Sequence, residues 1–411
     1  MYSSLVITEI LSQDKRYVLP AGAGSDAIHT APTYGYAVCV LRTNTREEGV
    51  GLAFTLGTGN PLVCEAIRHL ACKLVGKEIH ELMAGFGRVF RSLADDASYR
   101  WLGPHKGVVH LALAAITNAC FDLWAKAHQV PGWKLLDDLS PEALVDAIDL
   151  SYLEDVLSRA EALAILRRQE TFRKETERIL HTGYRGYDTS VGWFEYSDAQ
   201  IRDNVRRAMD AGFTAMKLKV GSKDPNHDIR RAMLVREAAG ESATIMLDAN
   251  QQWSLPDAIR ICGALQPMNP YWIEEPTHPD DVQAHRTLAD AIAPLRIALG
   301  EHVPNRVLFK NYLQSGAMSF NQADAVRVGG VAEYIAISLL SKKFRIPMVP
   351  HVGDMGQIHQ HLVLFNHIRV GHEPLFLEYI PHLRDCFVHP ARVTGGFYQV
   401  PEVPGFSTAL R

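Results

Sequence analysis

Three acidic residues lie about one βα unit apart in the chain, each at the end of an apolar run. Asp248 ends TIMLD, Glu274 follows YWI and Glu301 follows RIALG. A carboxylate at the end of a buried strand is costly to desolvate unless it is paired or bound to a cation. Three converging carboxylates would hold a hard, oxygen-preferring ion such as Mg²⁺. Strand alternation allows only one of Glu274 and Glu275 to face a barrel interior, and we assign Glu274 to the metal.

The segment MKLKV contains two lysines that are candidates for proton chemistry. Lys217 and Lys219 are two residues apart on a strand, so both side chains project from the same face. A neighbouring ammonium group and a nearby divalent cation both disfavour a second positive charge, and this lowers a lysine pKa toward the range of a general base. A solvated strand edge is the alternative interpretation, but the order of the surrounding motifs favours catalysis.

Further polar residues end later strands. Asp324 in NQADAV and His351 in MVPHVG are expected on neighbouring strands, where they could form an Asp–His dyad. A carboxylate that accepts a hydrogen bond from one imidazole nitrogen fixes the tautomer and favours the protonated ring, which can act as a general acid. Glu378 in LFLEYI is a candidate carboxyl on an eighth strand, with a salt bridge at the barrel rim as the alternative.

These residues need a scaffold that brings strand ends together, and the second half of the chain has the pattern of one. From about residue 185, short apolar strands alternate with helical segments roughly every 25 residues, the period expected of a parallel (β/α) barrel. The active site of such a barrel lies at the C-terminal ends of its strands. The strand-like segments are TAMKLKVG, TIMLDAN, YWIEEP, RIALGEH, MSFNQADAV and IPMVPHVG.

The remaining sequence predicts a second, smaller unit around the barrel. Residues 1–137 mix strand-like alternation with helical periodicity, as an α+β capping domain would. Residues 138–184 are rich in Glu, Ala, Leu and Arg and predict a helical connection with solvated faces. The barrel is assigned to residues 185–378, and the Pro- and Gly-rich residues 379–411 are expected to return to the cap.

Composition narrows the class of partner. The chain has 411 residues, is 47% hydrophobic and carries a formal net charge of -4, which does not indicate binding to nucleic acid or to an anionic membrane. A small-molecule substrate is expected. The six cysteines show no paired zinc spacing, the first residues do not resemble a signal peptide, and no apolar run approaches the length of a bilayer span. We therefore predict a cytoplasmic protein with reduced thiols.

The motifs K-x-K, D-A-N, W-I-E-E-P, G-E-H, D-x-x-R-x-G-G and P-H, in this order and spacing, resemble the mandelate racemase branch of the enolase superfamily. Within that branch the chain most resembles the L-fuconate dehydratase group of acid-sugar dehydratases, through segments such as GSDAIHT, FTLGTG, YDTSVGW, WIEEPTHPDD and FLEYIPHL. The resemblance implies an α/β fold: a (β/α)₇β modified TIM barrel with an α+β cap built from both termini. It also implies a homo-oligomer.

The resemblance further implies a reaction. The strand-end carboxylates Asp248, Glu274 and Glu301 would bind Mg²⁺, and Lys219 would abstract the proton α to the substrate carboxylate. Lys217 would help to stabilise the enediolate. A proton in that position is weakly acidic because the dianionic intermediate is unstable, and a fixed divalent cation with an ammonium group offsets the developing charge.

The acid of the implied reaction is a histidine. His351, supported by Asp324, would protonate the departing β-hydroxide, and the enol product would tautomerise to a 2-keto-3-deoxy acid. Glu378 is placed in the same catalytic group. The loop that contains Ser25 and the loop at residues 55–59 would close over the polyol end of the substrate. The assigned substrate contacts, each of which could instead cap a helix or a turn, are Ser25, Asp26, His29, Thr189, Ser190, Trp193, Asn250 and His302.

One segment departs from the family pattern. After P-H the fuconate dehydratases carry an apolar stretch like A-G-G-V-G-L, whereas this chain has VGDMGQ followed by His359 and His361. A missing or surplus buried hydrogen-bond partner costs about 1–3 kcal/mol, so this segment could change which hydroxyl configuration is accepted. The substrate expected from the resemblance is L-fuconate or a close stereoisomer.

The predicted function is therefore that of a Mg²⁺-dependent hydro-lyase of carbohydrate catabolism, an L-fuconate dehydratase-like enzyme. A racemase or epimerase of a 2-hydroxy acid could use the same enolate with the same base and acid on opposite faces. A non-catalytic sugar-acid-binding protein is the alternative of another class. It is disfavoured because a binder has no reason to retain the base, the acid and the metal carboxylates together.

Overall fold

An antiparallel sheet begins the structure. The computed structural model of the protein describes residues 4–103, 105–352 and 357–411. Its first sheet has the strand order β1–β2–β3, and every neighbouring pair is antiparallel. The segment TYGYAVCVLRT, which alternation predicted to be a strand, forms β2. The strands are β1 (Ile7–Val18), β2 (Thr33–Thr43) and β3 (Glu48–Thr55).

Helices pack on one face of this sheet and complete the cap. The 20-residue helix α4 approaches β3 so closely that a Cβ at Gly49 or Gly51 would clash with the α4 backbone at Ala119 or Ala115. Glycine at these two strand positions therefore permits the contact. The cap helices are α1 (Asn60–Ala71), α2 (Ile79–Met83), α3 (Phe86–Ala94), α4 (Val108–Ala127) and α5 (Gly132–Asp138).

Helix α4 corrects one expectation from the sequence. With 20 residues and a mean hydropathy of 1.5 it is long and apolar enough to cross a membrane, yet 89% of that apolar window is buried inside the protein. Its composition is that of a core helix, because both the sheet and the neighbouring helices cover it.

The connection to the barrel is helical. Helix α7 begins with a capping box in which the Ser158 hydroxyl accepts from the Glu161 N–H and the Glu161 carboxylate accepts from the Ser158 N–H. Only Ala162 and Leu166 of this helix are buried, so its charged faces are largely solvated. The connecting helices are α6 (Pro141–Asp146), α7 (Arg159–Glu170), α8 (Arg173–Thr176) and α9 (Ile179–Thr182).

Parallel strands and helices then alternate. Strands β4 to β9 pair in parallel in chain order, Met348 adds a parallel bridge to Asn321, and β10 pairs in parallel with β4. This arrangement, with the cap described above, confirms the predicted modified TIM barrel. The strands are β4 (Tyr184–Gly192), β5 (Ala215–Lys219), β6 (Thr244–Asp248), β7 (Ile273–Glu274), β8 (Ile297–Leu299), β9 (Phe320–Asn321) and β10 (Leu377–Tyr379).

The barrel helices follow the strands as the periodicity predicts. They are α10 (Asp198–Asp210), α11 (Pro225–Ala239), α12 (Leu255–Leu265), α13 (Val282–Ala291), α14 (Arg306–Ser315), α15 (Val331–Lys343) and α16 (Ile358–Phe365). A π-helical turn at Asn366–Val370 extends α16. Short 3₁₀ turns lie at Cys72–Leu74, Ala97–Leu102, Gln266–Met268 and Arg384–Cys386.

One apolar layer fills the barrel and sets the position of the residues above it. Trp272 belongs to this layer, and two residues later on the same strand comes Glu274; Val349 precedes His351 in the same way. Because strand side chains alternate, the next inward residue on each strand is a candidate site residue at the C-terminal end. The layer consists of Tyr187, Ala215, Met246, Trp272, Ala298, Phe320, Val349 and Phe376.

The C-terminal segment extends the barrel before it returns to the cap. Strands β11 (Val393–Thr394) and β12 (Phe397–Tyr398) form a hairpin, and β12 pairs antiparallel with the first residues of β4. Gly395 and Gly396 between them both have positive φ, as a two-residue hairpin turn requires. Farther on, the Phe406 N–H donates to the Asp122 carboxylate of α4 at 2.7 Å. The predicted return to the cap had not included the hairpin.

Candidate active site

Charged side chains converge at the C-terminal ends of the barrel strands. Lys217 and Lys219 lie on β5, Asp248 and Glu274 end β6 and β7, and Glu301 follows β8. All of them are buried, with Glu301 the most exposed at 9%. So many charges can share a buried space only if they balance one another or bind a ligand.

Lys217 is held among carboxylates. Its Nζ lies 2.8 Å from Glu274 Oε1, 2.8 Å from Glu378 Oε1 and 3.5 Å from Asp248 Oδ2. Burial by itself would lower the pKa of Lys217, but the charges of Glu274 and Glu378 outweigh burial and raise that pKa well above its ordinary value. Lys217 is therefore a fixed cation, suited to stabilise negative charge that develops above it.

Lys219 reaches the cavity above. Its Nζ lies 2.5 Å from Asp248 Oδ2 and 5.4 Å from the centroid of the Trp193 ring. Burial would lower the pKa of Lys219, but the Asp248 carboxylate outweighs both burial and the ammonium of Lys217, so the pKa is raised. The expected lowering of this pKa included a bound divalent cation, whereas the raised pKa is that of the site without one. A divalent cation on Asp248 would remove this stabilisation of the ammonium form, so the predicted lowering depends on the cation.

His351 and Asp324 form the predicted contact. His351 Nδ1 lies 2.8 Å from Asp324 Oδ2, and the other ring nitrogen, Nε2, lies 3.4 Å from Glu301 Oε2. Burial would lower the pKa of His351, but Glu301, Glu378 and the Asp324 hydrogen bond raise it above the ordinary value. With Nδ1–H donated to Asp324, a protonated His351 presents its Nε2–H as an acid.

Side chains from the cap and the barrel enclose a cavity over these groups, and we call it the site cavity. Of the predicted substrate contacts, Asp26 and His29 reach it from the cap, and Trp193, Asn250 and His302 reach it from the barrel. Its lining is Gly24, Asp26, Ile28, His29, Pro32, Tyr34, Phe54, Leu56, Trp193, Lys219, Asn250, Gln251, Glu301, His302, Arg327, His351, Glu378 and Ile380.

The other predicted contacts, Ser25, Thr189 and Ser190, are not part of that lining in the described structure. The Ser25 hydroxyl donates to the Gly22 carbonyl at 2.6 Å and accepts from the Glu195 N–H at 3.0 Å. It thus ties its loop to the barrel. The Ser190 hydroxyl donates to Asp188 at 2.7 Å, and Thr189 is fully buried on β4. The hydroxyls of Ser25 and Ser190 are therefore already engaged in hydrogen bonds within the protein.

Arg327 is a cavity residue that the sequence analysis did not assign. Its Nη2 lies 2.9 Å from Glu301 Oε1, and its guanidinium carbon lies 4.9 Å from the centroid of the Phe54 ring. It therefore links a barrel carboxylate to a cap aromatic. Arg327 is the arginine of the D-x-x-R-x-G-G motif, so the motif itself carried the signal.

Gln251 and Glu275 were also missed as site residues. The Gln251 amide donates to Glu275 and lies 2.9 Å from His302 Nδ1, while Glu275 Oε2 lies 2.8 Å from the same nitrogen. Gln251 and Glu275 have φ values of 61° and 40°, in the left-handed region that such residues rarely adopt. Strained backbone of this kind clusters at functional sites, but no sequence pattern reports it.

Two carboxylate sets could attract a metal ion. Within the described ranges, Glu275, Glu301 and His302 have ligand atoms that all lie within 4.8 Å of one another. Burial would lower the pKa of His302, yet Glu275 and Glu301 raise it to about 9. This raised pKa applies without a cation, and an imidazole nitrogen is in any case a softer ligand than a carboxylate oxygen. The set Asp248, Glu274 and Glu301, which lies on successive strands and offers only oxygen, suits a hard cation better.

The chemistry of this second set fits a divalent cation. Burial and the nearby charge of Asp248 raise the pKa of Glu274 to about 8, because a further negative charge in this space is unfavourable. Asn250 Oδ1, two residues beyond Asp248, is buried and accepts no hydrogen bond from the described residues. A cation held by Asp248, Glu274 and Glu301 would offset the crowded charge.

The chain matches known proteins over nearly the whole length of each of them. The family described as enolase C-terminal domain-like matches residues 200–411. Mitochondrial enolase superfamily member 1 of Homo sapiens is 40% identical over 415 aligned residues, which cover 98% of this chain and 94% of the human protein. L-galactonate dehydratase of Hypocrea jecorina is 39% identical over 418 aligned residues, covering 100% of this chain and 93% of that protein.

Solved structures agree with this comparison. The crystal structure of human mitochondrial enolase superfamily member 1 matches with a TM-score of 0.96 at 39% identity, covering 100% of this chain and 95% of that one. L-talarate/galactarate dehydratase from Salmonella typhimurium LT2, liganded with Mg and L-lyxarohydroxamate, matches with a TM-score of 0.79 at 24% identity. That alignment covers 100% of this chain and 92% of the Salmonella chain, and it shows a shared fold.

Proposed function

The chain belongs to the enolase superfamily, among its mandelate racemase-like members, and from this premise we propose that it is a Mg²⁺-dependent acid-sugar dehydratase. One observation carries the proposal: Lys219 and His351 both reach the site cavity, above a floor of buried carboxylates. Lys219 is on β5, and His351 follows the strand-like residue Met348, which bridges to β9. Around the barrel, β4 and β10 lie between these two positions in one direction, and β6 to β9 lie between them in the other. Base and acid therefore face a substrate from different sides.

Lys219 begins the reaction. In its neutral form it would take the proton from the carbon next to the substrate carboxylate. The bound cation, held by Asp248, Glu274 and Glu301, would supply electrostatic stabilisation of the charge that develops on that carboxylate. Lys217, fixed by its ion pairs to Glu274 and Glu378, adds a second positive charge beneath the substrate.

His351 completes the elimination. Its Nε2–H would pass to the β-hydroxyl as the carbon–oxygen bond breaks, so the hydroxyl leaves as water. The electron pair released by the carbon–hydrogen bond forms the enol double bond, and tautomerisation gives the 2-keto-3-deoxy acid. The net change is the loss of one water molecule, with one proton gained by Lys219 and one given up by His351.

We propose L-fuconate or a close stereoisomer as the substrate. The relative from Hypocrea jecorina is an L-galactonate dehydratase, and L-fuconate is the 6-deoxy form of L-galactonate. The site cavity offers Asp26 and His29 to sugar hydroxyls and Ile28 and Ile380 to an apolar end. This mixture supports a sugar acid with one methyl terminus over a diacid.

A racemase or epimerase is the second candidate, because the same two residues on different sides of the site cavity could exchange a proton without elimination. Incubation in D₂O separates the two reactions. A racemase would place deuterium at the α-carbon and retain the β-hydroxyl, whereas a dehydratase would form the keto acid.

A substrate screen tests the proposal. Mono- and diacid sugars, including L-fuconate, L-galactonate and galactarate, would be incubated with Mg²⁺ or with EDTA, and the 2-keto-3-deoxy product detected as its semicarbazone. We expect product from L-fuconate or L-galactonate with Mg²⁺ and none with EDTA. Deuterium exchange without product would favour the racemase, and inertness toward all acid sugars would reject both reactions.

A further inference from the structure

A second histidine contacts the carboxylate that supports His351. His359 Nε2 lies 2.8 Å from Asp324 Oδ1, while His351 Nδ1 lies 2.8 Å from Oδ2 of the same group. His359 is the second residue of α16, and both it and Asp324 are fully buried.

The two carboxylate oxygens of Asp324 have different partners. Oδ1 accepts from the Val326 N–H at 2.9 Å as well as from His359. Oδ2 accepts from His351, and Arg327 Nε lies 3.9 Å from it. Burial by itself would raise the pKa of Asp324, but His359 and His351 lower it, so the group stays ionised. Val326 and His359 therefore fix the plane in which Oδ2 meets the His351 ring.

That plane decides where the acid points. A histidine ring held through Nδ1 takes its direction from the group that accepts the hydrogen bond. In this structure the His351 ring, oriented by Asp324, lines the site cavity, and its Nε2 lies 3.4 Å from Glu301 Oε2. His359 is not among the described residues that line the cavity, and its contact with the catalytic dyad is the hydrogen bond to Asp324.

We propose that His359 is a positioning residue for the proton transfer by His351. It donates its Nε2–H to Asp324 Oδ1 and so keeps Oδ2 aligned with His351 Nδ1. Proton abstraction by Lys219, on the other side of the cavity, does not depend on it. This inference rests on the proposed dehydration.

The same helix contains a matched control. His361 is also fully buried, but its Nδ1 accepts from the Trp133 N–H at 3.0 Å, on the side of the cap. Burial lowers the pKa of His361 to about 3, so this ring is neutral. Substitution of His361 perturbs the packing of α16 without touching Asp324, whereas substitution of His359 perturbs both.

The test compares His359→Phe, His359→Gln and His361→Phe with the unmodified protein. Dehydration is followed as keto-acid formation, and α-proton abstraction as deuterium entry into unreacted sugar acid in D₂O. Loss of a group that orients a metal-ligating histidine typically costs about 10–100-fold in metal affinity or activity, and we take the lower end of that range for His359. We expect His359→Phe to lower kcat for dehydration at least about tenfold, with KM and the exchange rate changed less than about twofold.

The conservative variant should rescue the reaction. The Gln side-chain amide can place an N–H near the position of Nε2, so His359→Gln should dehydrate within about threefold of the unmodified protein. His361→Phe should affect exchange and dehydration to the same extent. Normal dehydration by His359→Phe, or a parallel loss of exchange and dehydration in it, would overturn the inference.

A spectroscopic readout keeps the test independent of turnover. Buried imidazole N–H protons that donate to a carboxylate give resolved downfield proton NMR signals in the free protein. We expect the His351 signal to shift or broaden in His359→Phe and to persist in His359→Gln and His361→Phe. An unchanged signal in His359→Phe would overturn the inference even if the unmodified protein turned over no acid sugar, an outcome that would separately reject the proposed dehydration.

Discussion

Two buried ion clusters differ in how completely their charges are satisfied. One, the junction cluster, consists of His110, Asp149, Arg306 and Glu333 and joins the cap helix α4 and the connection to the barrel helices. Glu333 accepts from His110 at 2.8 Å, from Arg306 Nη1 at 3.0 Å and from the Gly329 N–H at 2.7 Å. Arg306 Nη2 lies 2.5 Å from Asp149.

The other is the site cluster of Lys217, Lys219 and the strand-end carboxylates. Burial and the charge of Asp248 raise the pKa of Glu274 to about 8. In the junction cluster burial would likewise raise the pKa of Glu333, but His110 and Arg306 hold that pKa well below its usual range.

This difference shows which cluster has its charges balanced without a ligand or cation. A buried carboxylate with donors on both oxygens is stable without any ligand, and its function is to hold elements together. A set of carboxylates whose mutual repulsion perturbs a pKa is a candidate functional site, since a ligand or cation is needed to balance it. We therefore expect changes in the junction cluster to reduce stability, and changes in the site cluster to reduce activity or its dependence on a cation.

The largest effect is expected from Lys219→Ala. Removal of a general base lowers kcat by about 10²–10⁴-fold. With Mg²⁺ present the melting temperature should fall less than kcat implies, because the cation can balance the Asp248 carboxylate that loses its ion pair with Lys219. Dehydration kinetics and thermal melting measure the two quantities. Lys223→Ala, an exposed lysine beyond β5, is the control and should retain full activity. Equal activity of both variants would remove Lys219 from the mechanism.

Glu333→Gln should show the reverse pattern. It leaves the buried Arg306 guanidinium without a charged partner on that side, and breaking a buried ion pair costs about 3–5 kcal/mol. Urea unfolding measures this loss, and kcat per folded molecule should stay within about twofold. Glu65→Gln, which breaks an exposed ion pair with Arg68 on α1, should lower the urea midpoint far less, because solvent screens exposed charges. An equally small loss of unfolding free energy in Glu333→Gln would contradict the structural role of the junction cluster.

Mg²⁺ should stabilise the protein more at pH about 8 than at pH about 6. The pKa of Glu274 is raised from 4.5 to about 8 in the folded protein. The associated stability is therefore fully present below pH 4.5 and is lost progressively as the pH rises to about 8. Binding of Mg²⁺ favours the ionised carboxylates, and at 100 times Kd it contributes about 2.7 kcal/mol. Melting curves with Mg²⁺ and with EDTA at both pH values measure the effect. A stabilisation that is independent of pH would argue against a site made of these carboxylates.

The smallest effect is expected from His110→Gln. The amide N–H can replace the imidazole donor to Glu333, so the weakening of this hydrogen bond is expected to cost about 0.5–1.5 kcal/mol. The urea midpoint should fall accordingly. A loss as large as that of Glu333→Gln would show that the junction cluster requires a charged imidazole.

Much of the site was predictable because its signals are local. The two-residue period of a strand placed Lys217 and Lys219 on one face, and the apolar runs before Asp248, Glu274 and Glu301 located each carboxylate at a strand end. The order of the motifs, through the family resemblance, also predicted the role of His351 and the barrel with its cap. These inferences needed only neighbours in sequence and the rule that parallel strands end at one face of a barrel.

Other features depended on segments far apart in the chain. Left-handed backbone at Gln251 and Glu275, which no residue pattern indicates, accompanies their contacts with His302. The resemblance assigned Ser25 to the substrate, whereas its hydroxyl accepts from the N–H of Glu195, 170 residues away in the chain. The contact of His359 with Asp324 likewise spans 35 residues. Without a cation the Asp248 carboxylate raises the pKa of Lys219, so the predicted lowering stays a prediction for the cation-bound protein.

The sequence by itself thus determined the strands, the order of the chemical groups around the barrel and the family. Only the tertiary structure decided which charges meet, which hydroxyls are already engaged, and which clusters are complete. The physical reason is that periodicity is a property of consecutive residues, whereas a hydrogen bond or a pKa depends on all groups within a few ångströms, whatever their separation along the chain.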